Sequence, residues 1–295
     1  MSSCLNCGEG AKFIEILDDI TSVYDRVSSF RIESCLLCGL AQTFPRPSLI
    51  ELDKIYSSVY KYDIHISLSL EKQIRAQKLF KSIFHDGLGK SVFEIGCGSG
   101  ELLSVLQKNG FVVKGLEPDS QSVSQANLQF ESNVVSQGSF ENFDKAKLRE
   151  HSLIIMSHVL EHFVDPKTYL TQIYNSTSDN AKMLIIVPNF EKIPKGFLSK
   201  YWGYLQVPVH VSHFTYSSLD NLLRDVGYKI ESANYRNSDF MSLGLYLMNI
   251  FKIESKSITL NLFKKRLIIF FSVLWTSFYR FGKQDLIVIA GKLRA

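Results

Sequence analysis

No stretch of this 295-residue chain keeps the roughly 18–20 consecutive apolar residues that a membrane-spanning helix needs. Its first residues, MSSCLNCGEG, have neither a basic start nor an apolar core. Nothing there reads as a secretory leader, and a cytoplasmic location is the expectation. Internal repeats and low-complexity tracts are also missing. Charge of one sign is not in large excess: with 45% hydrophobic and 21% charged residues and a net charge of +4, the balance is that of an ordinary soluble globular protein. The small net value conceals an asymmetry. From Lys252 onward nine Lys/Arg stand against two acids, Glu254 and Asp285, which puts +7 in the tail and −3 in the remainder. Any attraction to an anionic partner should come from that tail.

Cysteine is scarce, five residues in all, yet four of them form two matched pairs, Cys4-x-x-Cys7 and Cys35-x-x-Cys38. Each pair is followed by glycine (CLNCG, CLLCG), which lets the chain fold back around an ion. In a cytosolic chain two such knuckles point to metal rather than to disulfides. Zn²⁺ takes four thiolates in a tetrahedron. The reading is therefore a small zinc-ribbon unit over residues 1–45, with Cys4, Cys7, Cys35 and Cys38 holding a structural zinc. The alternative is four buried free cysteines. The extended-looking runs KFIEIL and SFRIES lie between the knuckles. So short a segment cannot build much of a core, and the metal would stand in for one. The face between the knuckles mixes charges without a basic stripe, so no nucleic-acid partner is expected.

Residues 46–89 read as a helical lead-in or lid. From residue 90 the pattern becomes short apolar runs (SVFEIG, FVVKGLEP, NVVSQGSF, HSLIIMS, AKMLIIVPN, YKIESANY) alternating with amphipathic helices such as ELLSVLQKNG and DPKTYLTQIYNS. Asp165-Pro166 is a helix start, with proline in the first turn. Alternating strands and helices imply an α/β fold with a doubly wound parallel sheet. This domain should run over 90–295 and close with the strand DLIVIAGKLRA. Residues 240–282 interrupt it as an apolar helical insertion, with FMSLGLYLMNIF and LIIFFSVLWTSFYRF greasy nearly all round. As a helix, residues 267–281 would be about 22 Å long, short of the roughly 30 Å hydrocarbon core. Two readings stay open for the insertion. One is peripheral contact with the inner face of a membrane, with Lys264, Lys265 and Arg266 toward anionic headgroups. The other is packing on the sheet or in a homodimer.

The most informative stretch is VFEIGCGSGELLSVL, residues 92–106. No Gly-Lys-Ser/Thr follows, so it is not a P-loop, and Glu101 occupies the third position of G-x-G-x-x-G. What remains is Glu94-x-Gly96-x-Gly98-x-Gly100, an acid ahead of evenly spaced glycines. A dinucleotide would need its pyrophosphate at the helix N-terminus. S-adenosylmethionine (SAM) has no phosphate and carries a sulfonium and an ammonium, so an acid beside the turn helps it. The next strand ends GLEPD, placing Glu117 and Pro118 at its edge, where a carboxylate accepts from both ribose hydroxyls. In QGSFENF, Ser139 and Phe140 are placed to meet the adenine edge and face. The bland alternatives are a ligand-free turn and a solvated acid.

Two further segments, SHVLEHFVDP (157–166) and VPVHVSHFTYSSLDNLLRDVGY (207–228), carry a resemblance. Together with the glycine turn and Glu117 they resemble the class I SAM-dependent methyltransferases, in the branch reading VLEH…DP and H…HFT. The resemblance covers about residues 90–235 plus the last strand. It implies a Rossmann-like methyltransferase sheet and a SAM site drawn from Glu94, Gly96, Gly98, Gly100, Glu117, Pro118, Ser139, Phe140 and Ser157. Ser139 departs from the Asp found in many relatives, which shifts weight to backbone contacts with adenine; Ser152 stands where Asp often begins the fourth strand. The N-terminal cysteines and YSSVYKY (Tyr56–Tyr62, with Tyr60 over the cofactor) are similar to sugar C-methyltransferases. There a tyrosine-rich segment closes over the cofactor and a histidine near HFT acts as base.

Methyl transfer requires the nucleophile in line with the leaving sulfur at about 3–3.5 Å. A protonated acceptor needs a base, which histidine provides at neutral pH. His158, His162, His210 and His213 are the candidates, with His213 first; the alternative for His213 is a helix-cap role beside Thr215. The loop of His158, Glu161 and His162 resembles an acid–histidine loop associated with a divalent ion in ubiquinone-pathway O-methyltransferases, or else it braces the loop. No Asn/Asp-Pro-Pro-Tyr/Phe and no Pro-Cys follows the fourth strand, which excludes the usual signatures of amino-nitrogen and cysteine-nucleophile base methylation. The expectation is methyl transfer to a sugar or other small-metabolite acceptor in surface-glycan biosynthesis, a lipid-linked acceptor being a further option. The rivals are a quinone- or lipid-type O-methyltransferase and a non-catalytic SAM-fold interaction module.

Overall fold

The computed structural model describes residues 3–58 (except 23 and 26), 69–83, 88–130, 132–193, 196–236 and 284–293. Tyr60 and the 240–282 insertion lie outside the described residues. In chain order the strands and helices are β1 (Phe13–Thr21), β2 (Ser29–Cys35), β3 (Ala41–Phe44), α1 (Leu49–Ser58), α2 (Ser69–Ile83), β4 (Ser91–Ile95) and α3 (Glu101–Lys108). Then come β5 (Val112–Glu117), α4 (Ser120–Phe130), β6 (Val135–Gln137), β7 (Leu153–Ser157), α5 (Pro166–Ser176) and β8 (Lys182–Pro188). The series ends with β9 (Ser212–His213), α6 (Tyr216–Val226), β10 (Tyr228–Arg236) and β11 (Asp285–Lys292). No described helix is long and apolar enough to cross a membrane.

The chain divides into two units: Met1–Ile55, Pro188–Leu219 and Asn234–Leu286 form the first, and Tyr56–Val187, Asp220–Ala233 and Ile287–Ala295 the second. The expected α/β architecture is present. Seven strands follow the order β10-β11-β8-β7-β4-β5-β6, and the pairs β4–β5, β5–β6, β4–β7 and β7–β8 are parallel. Burial on both faces explains the unbroken apolar runs: in β7, Leu153 to Met156 are all buried. Val92, Leu103, Leu106, Leu153 and Leu184 join one core. The chain winds from β4 through β5 to β6 on one side, then crosses to β7 and β8 on the other. Ligand crevices form at such a switch point, beyond the carboxyl ends of the strands. At the start of α5 the Asp165 side chain accepts from Thr168 N at 3.0 Å, with Pro166 in the first position, as the Asp-Pro pair foretells.

The first unit holds a feature that sequence reading missed. Its antiparallel sheet has the order β1-β2-β3-β9. Strand β9 is only Ser212–His213, and it pairs Gln42↔Ser212 and Ala41↔His213. Part of HVSHFT therefore belongs to the sheet of the cysteine segment. The core is shared in the same way: Ile20, Ile32 and Ala41 pack with Phe190, Trp202, Leu205 and Val207. A segment of some 45 residues buries too little surface to stand alone, and residues 188–219 supply what it lacks.

Candidate active site

Strand β4 delivers the chain into the turn Gly96–Gly100, and α3 begins at Glu101. Two glycines there have identifiable reasons. At Gly96 (φ +68°) a Cβ would lie 2.5 Å from Val159 Cγ2, so the VLEH loop sits directly against the turn. At Gly98 (φ +54°) a Cβ would meet no heavy atom within 4 Å. The space above Gly98 is open, and left-handed backbone keeps it bare of side chain.

Carboxylates gather beside this opening. Glu117, at the end of β5, accepts from Gly98 N at 2.9 Å and from Asp119 N at 3.0 Å. Burial raises its pKa, while those two amides oppose the rise. Glu94 is 3% exposed, and its Oε2 accepts no hydrogen bond among the described residues. Burial, then the charges of Glu101 and Glu117, push its pKa well above the usual carboxylate range. Ser99 Oγ is likewise buried without a hydrogen-bond partner. Buried acids and orphaned polar atoms around open space are what a cationic, hydrogen-bonding ligand relieves. Cys97, between the glycines, is buried with its pKa raised chiefly by burial, so it is an inert thiol here.

The other expected cofactor contacts vary. Ser157 ends β7 half-buried, Ser139 follows β6 half-buried, and Pro118 is exposed. Phe140 is buried: its ring is 4% exposed, stacked on Phe163 at 6.1 Å with Lys145 Nζ 5.1 Å from the ring centroid.

In the VLEH loop, His158 adopts φ +56°, unusual for a residue with a side chain. Its N–H donates to Ile186 O at 2.8 Å, and its Nδ1 lies 3.4 Å from Glu161 Oε1. His158, Glu161 and His162 do not converge as a three-ligand set among the described residues. Instead His162 Nδ1 lies 2.9 Å from the hydroxyl of Tyr56, in the last turns of α1. That pairing was not foreseen, although the tyrosine-rich segment that holds Tyr56 was.

In the first unit, His213 is 5% exposed and packs on Phe190, ring centroids 5.2 Å apart. Thr43 Oγ1 donates to His210 O at 2.7 Å and lies 2.9 Å from His213 Nε2. A hydroxyl has one proton, already given to the carbonyl, so His213 Nε2 must be the donor in the second bond. Burial lowers the His213 pKa to about 3. His213 was the leading candidate base; its burial and lowered pKa weigh against that role at neutral pH. It is not a helix cap either, since Ser218 N donates to Thr215 Oγ1 at 3.1 Å and Thr215 N to Ser218 Oγ at 3.0 Å. His210 is buried too, with its Nδ1 2.7 Å from Tyr204 O. A carbonyl only accepts, so Nδ1 carries the proton.

The four paired cysteines do converge, with Sγ atoms all within 4.8 Å of one another. Cys4 and Cys38 are 3.5 Å apart and Cys7 and Cys35 4.0 Å. A tetrahedral ion with metal–sulfur bonds of about 2.3 Å would set sulfurs ~3.8 Å apart. Each knuckle is closed by backbone, Cys4 N to Gly8 O at 2.8 Å and Gly39 N to Cys35 O at 2.9 Å. Asn6 N and Gln42 Nε2 point at Cys4 Sγ at 3.4 and 3.5 Å. Such donors favour thiolate, and the Cys4 pKa falls to about 4, led by the hydrogen bond from Cys38.

The His213 environment has a consequence for stability. Its pKa is about 3 when folded and about 6.5 in an unfolded chain. As pH falls below 6.5 the unfolded chain gains a proton that the folded one refuses, so stability drops toward pH 3. The loss from this group at pH 5 is about 2 kcal/mol. Urea unfolding at pH 7 and pH 5 should show His213→Gln less sensitive to pH than the parent by about that amount. Equal sensitivity would mean that the ring titrates normally.

A family profile described as "Methyltransferase domain" matches residues 70–233. No curated protein matches the chain. Among solved structures, the complex between the Haloferax volcanii Trm112 methyltransferase activator and a putative methyltransferase aligns over 78% of this chain and 93% of that one, at 13% identity and TM-score 0.53. The [4+2]-cyclase SpnF aligns over 85% and 99%, at 13% identity and TM-score 0.52. A putative S-adenosylmethionine-dependent methyltransferase from Listeria monocytogenes aligns over 74% and 98%, at 14% identity and TM-score 0.50. Identities this low speak for the fold alone. The profile match, however, runs from α2 through the glycine turn, both acids and the VLEH loop into β10, more than half of the sequence, and on that span the chain belongs to the methyltransferase domain family.

Proposed function

We propose that this protein is a SAM-dependent methyltransferase acting on a small-molecule acceptor, a sugar or related metabolite of surface-glycan biosynthesis. The observation that carries the cofactor half is the buried acid pair beside the open space at Gly98. SAM supplies an activated methyl group on a sulfonium, and its cationic groups suit a site where Glu94 and Glu117 resist ionisation. Glu117 spends only part of its acceptor capacity on two backbone amides, leaving lone pairs for ribose hydroxyls. The sugar assignment leans on the resemblance of the cysteine knuckles and the tyrosine-rich segment to sugar C-methyltransferases.

The base is assigned to His162. Its loop abuts the glycine turn through Val159, and the ring is half-buried rather than sealed. The Tyr56 hydroxyl on Nδ1 orients the imidazole, so Nε2 is the nitrogen assigned to the acceptor's proton. The four thiols are assigned to zinc, as the sulfur spacing supports.

Calorimetry should find SAM binding weakened by about 1.5–3 kcal/mol in Glu117→Ala, the scale of hydrogen bonds to a charged group, and blocked in Gly98→Val. If both variants stay folded and bind SAM like the parent, the cofactor lies elsewhere. Methyl-transfer assays over a panel of nucleotide-sugars, read by mass, identify the acceptor. With it, His162→Ala should cut turnover roughly 10²–10⁴-fold while SAM affinity holds, and His213→Gln should keep most of it; the reverse pattern would return the base to HVSHFT. Elemental analysis should give about one zinc per chain, lost when Cys4 and Cys7 become serine. A folded, metal-free parent would refute the ribbon.

A further inference from the structure

Strand β3 carries two neighbouring polar side chains, Gln42 and Thr43, both fully buried at 0% exposure. Successive residues of a strand face opposite ways, and these two serve different clients. Gln42 spends its whole amide on the cysteine knuckles and their approach. Nε2 donates to Cys4 Sγ at 3.5 Å and to Leu40 O at 3.3 Å. Oε1 accepts from Leu5 N at 3.1 Å and from Arg46 Nη2 at 2.7 Å. Two donors and two lone pairs exhaust the group. Thr43 turns to the histidine segment: its hydroxyl bridges His210 O and His213 Nε2, and its N–H donates to Val211 O at 3.0 Å. The backbone pairing Gln42↔Ser212 and Ala41↔His213 sets the register between the two.

A buried glutamine and a buried threonine are costly fillers for a sheet core. An apolar residue of equal size would serve unless the hydrogen bonds are wanted. Among the described residues the Gln42 side chain bonds the Cys4 knuckle, Leu40 and Arg46, and the Thr43 hydroxyl bonds only residues 210–213. One short strand is thus bonded through side chains to the metal site at one residue and to two histidines at the next. Residues 210–213 have only two residues in strand pairing, so Thr43 is their principal side-chain anchor to β3.

We propose that β3 is a strut, in which Gln42 and Thr43 are positioning residues through which occupation of the four-cysteine site fixes residues 210–213 and holds His213 in its Nε2-protonated form. The metal organises the Cys4 knuckle; the knuckle orients Gln42; Gln42 holds β3 in register; Thr43 passes that register to the histidines. Loss of the metal then loosens a segment that contributes none of the ligands. The inference rests on the zinc reading but not on methyl transfer, and its test needs no acceptor.

The full-length protein, labelled with ¹⁵N-histidine and loaded with zinc, is examined by long-range ¹H–¹⁵N correlation at pH 7.5, where each ring reports its tautomer. The expected parent spectrum shows His213 protonated at Nε2. Thr43→Val should abolish that fixed tautomer, and Thr43→Ser, which keeps the hydroxyl, should retain it. Gln42→Leu should weaken zinc binding by about 10-fold, the low end for loss of an outer-shell partner, and should speed hydrogen exchange at the Thr43 amide. Withdrawing zinc from the parent with a chelator should produce the same faster exchange and the same loss of the His213 signature. A parent whose His213 signal and Thr43 exchange ignore zinc removal overturns the link to the metal. A Thr43→Val spectrum identical to the parent overturns the strut. Elemental analysis of the same samples separates these from failure of the zinc reading, which would show as no bound metal at the outset. If Thr43→Val proves too unstable, Thr43→Ser and the chelation arm decide: loss of the tautomer in Thr43→Ser, or indifference to chelation, refutes the proposal.

Discussion

Burying a carboxylate in the middle of a parallel sheet is the constraint around which the second unit is organised. Glu94 is the fourth residue of β4, the strand at which the winding reverses, and its carboxylate has Glu117 and Glu101 for neighbours and, among the described residues, no donor for Oε2. An isolated buried charge is expensive, and two more acids nearby raise the cost. Two solutions exist, to hold a proton or to wait for a cation. Burial and the neighbouring acids push its pKa up, which favours the first. The second explains why the surrounding backbone is shaped as it is. Gly98 is bare above, Gly96 lets Val159 close in from the side, and Glu117 is braced by two amides before any ligand arrives. A pre-braced carboxylate loses little freedom when it takes a hydrogen bond, which is where preorganisation contributes to binding.

The first unit answers a different limitation. A segment that carries two knuckles and three strands has little apolar mass, and its β1 leaves Ile14 and Ile16 exposed at the edge of the sheet. It draws Phe190, Trp202, Leu205 and Val207 from far along the chain. The partnership is reciprocal, because the HVSH segment, too short to pair with much, gains a strand neighbour and a hydroxyl from β3. Thr43 Oγ1 fixes a carbonyl and a ring at once, and that double use determines the His213 tautomer without recourse to any proton seen directly.

Much of the second unit was legible because its signals are local. A strand buried on both faces is a continuous apolar run, a helix start is Asp-Pro, and a turn needing three left-handed residues spells three glycines. Glu94 and Glu117 were legible for a chemical reason, since acids flanking a glycine turn are wrong for phosphate. The cysteine pairs announced themselves by spacing. What stayed hidden was long-range. AQTF is four residues of unremarkable pattern, and β9 only two; neither shows periodicity, and β9 exists because β3, itself paired along its length with β2, offers it an edge. That Phe140 stacks on Phe163 is likewise a tertiary fact no local pattern announces. The Tyr56–His162 contact spans 106 positions, beyond any local rule.

The histidines show how burial, rather than residue type, sorts candidates. Four histidines in two motif-like segments were equivalent on paper, and proximity to HFT favoured His213. In the structure that ring is sealed against Phe190, committed through Nε2 to Thr43, and pushed by burial to a pKa of about 3. To act as a base at pH 7 it would have to work roughly four units above that value, where its affinity for a proton is feeble. His162 is less enclosed. Its half-buried ring keeps access to water, its Nδ1 partner is a hydroxyl that can donate or accept, and its loop is the one that presses Val159 onto Gly96. With Nδ1–H donating to the Tyr56 oxygen in the neutral and the charged ring alike, a proton gained or lost at the opposite nitrogen leaves the orienting contact intact. Thr43 accepts from His213 Nε2–H in either charge state, so it is burial, and not this bond, that opposes a second proton on the ring.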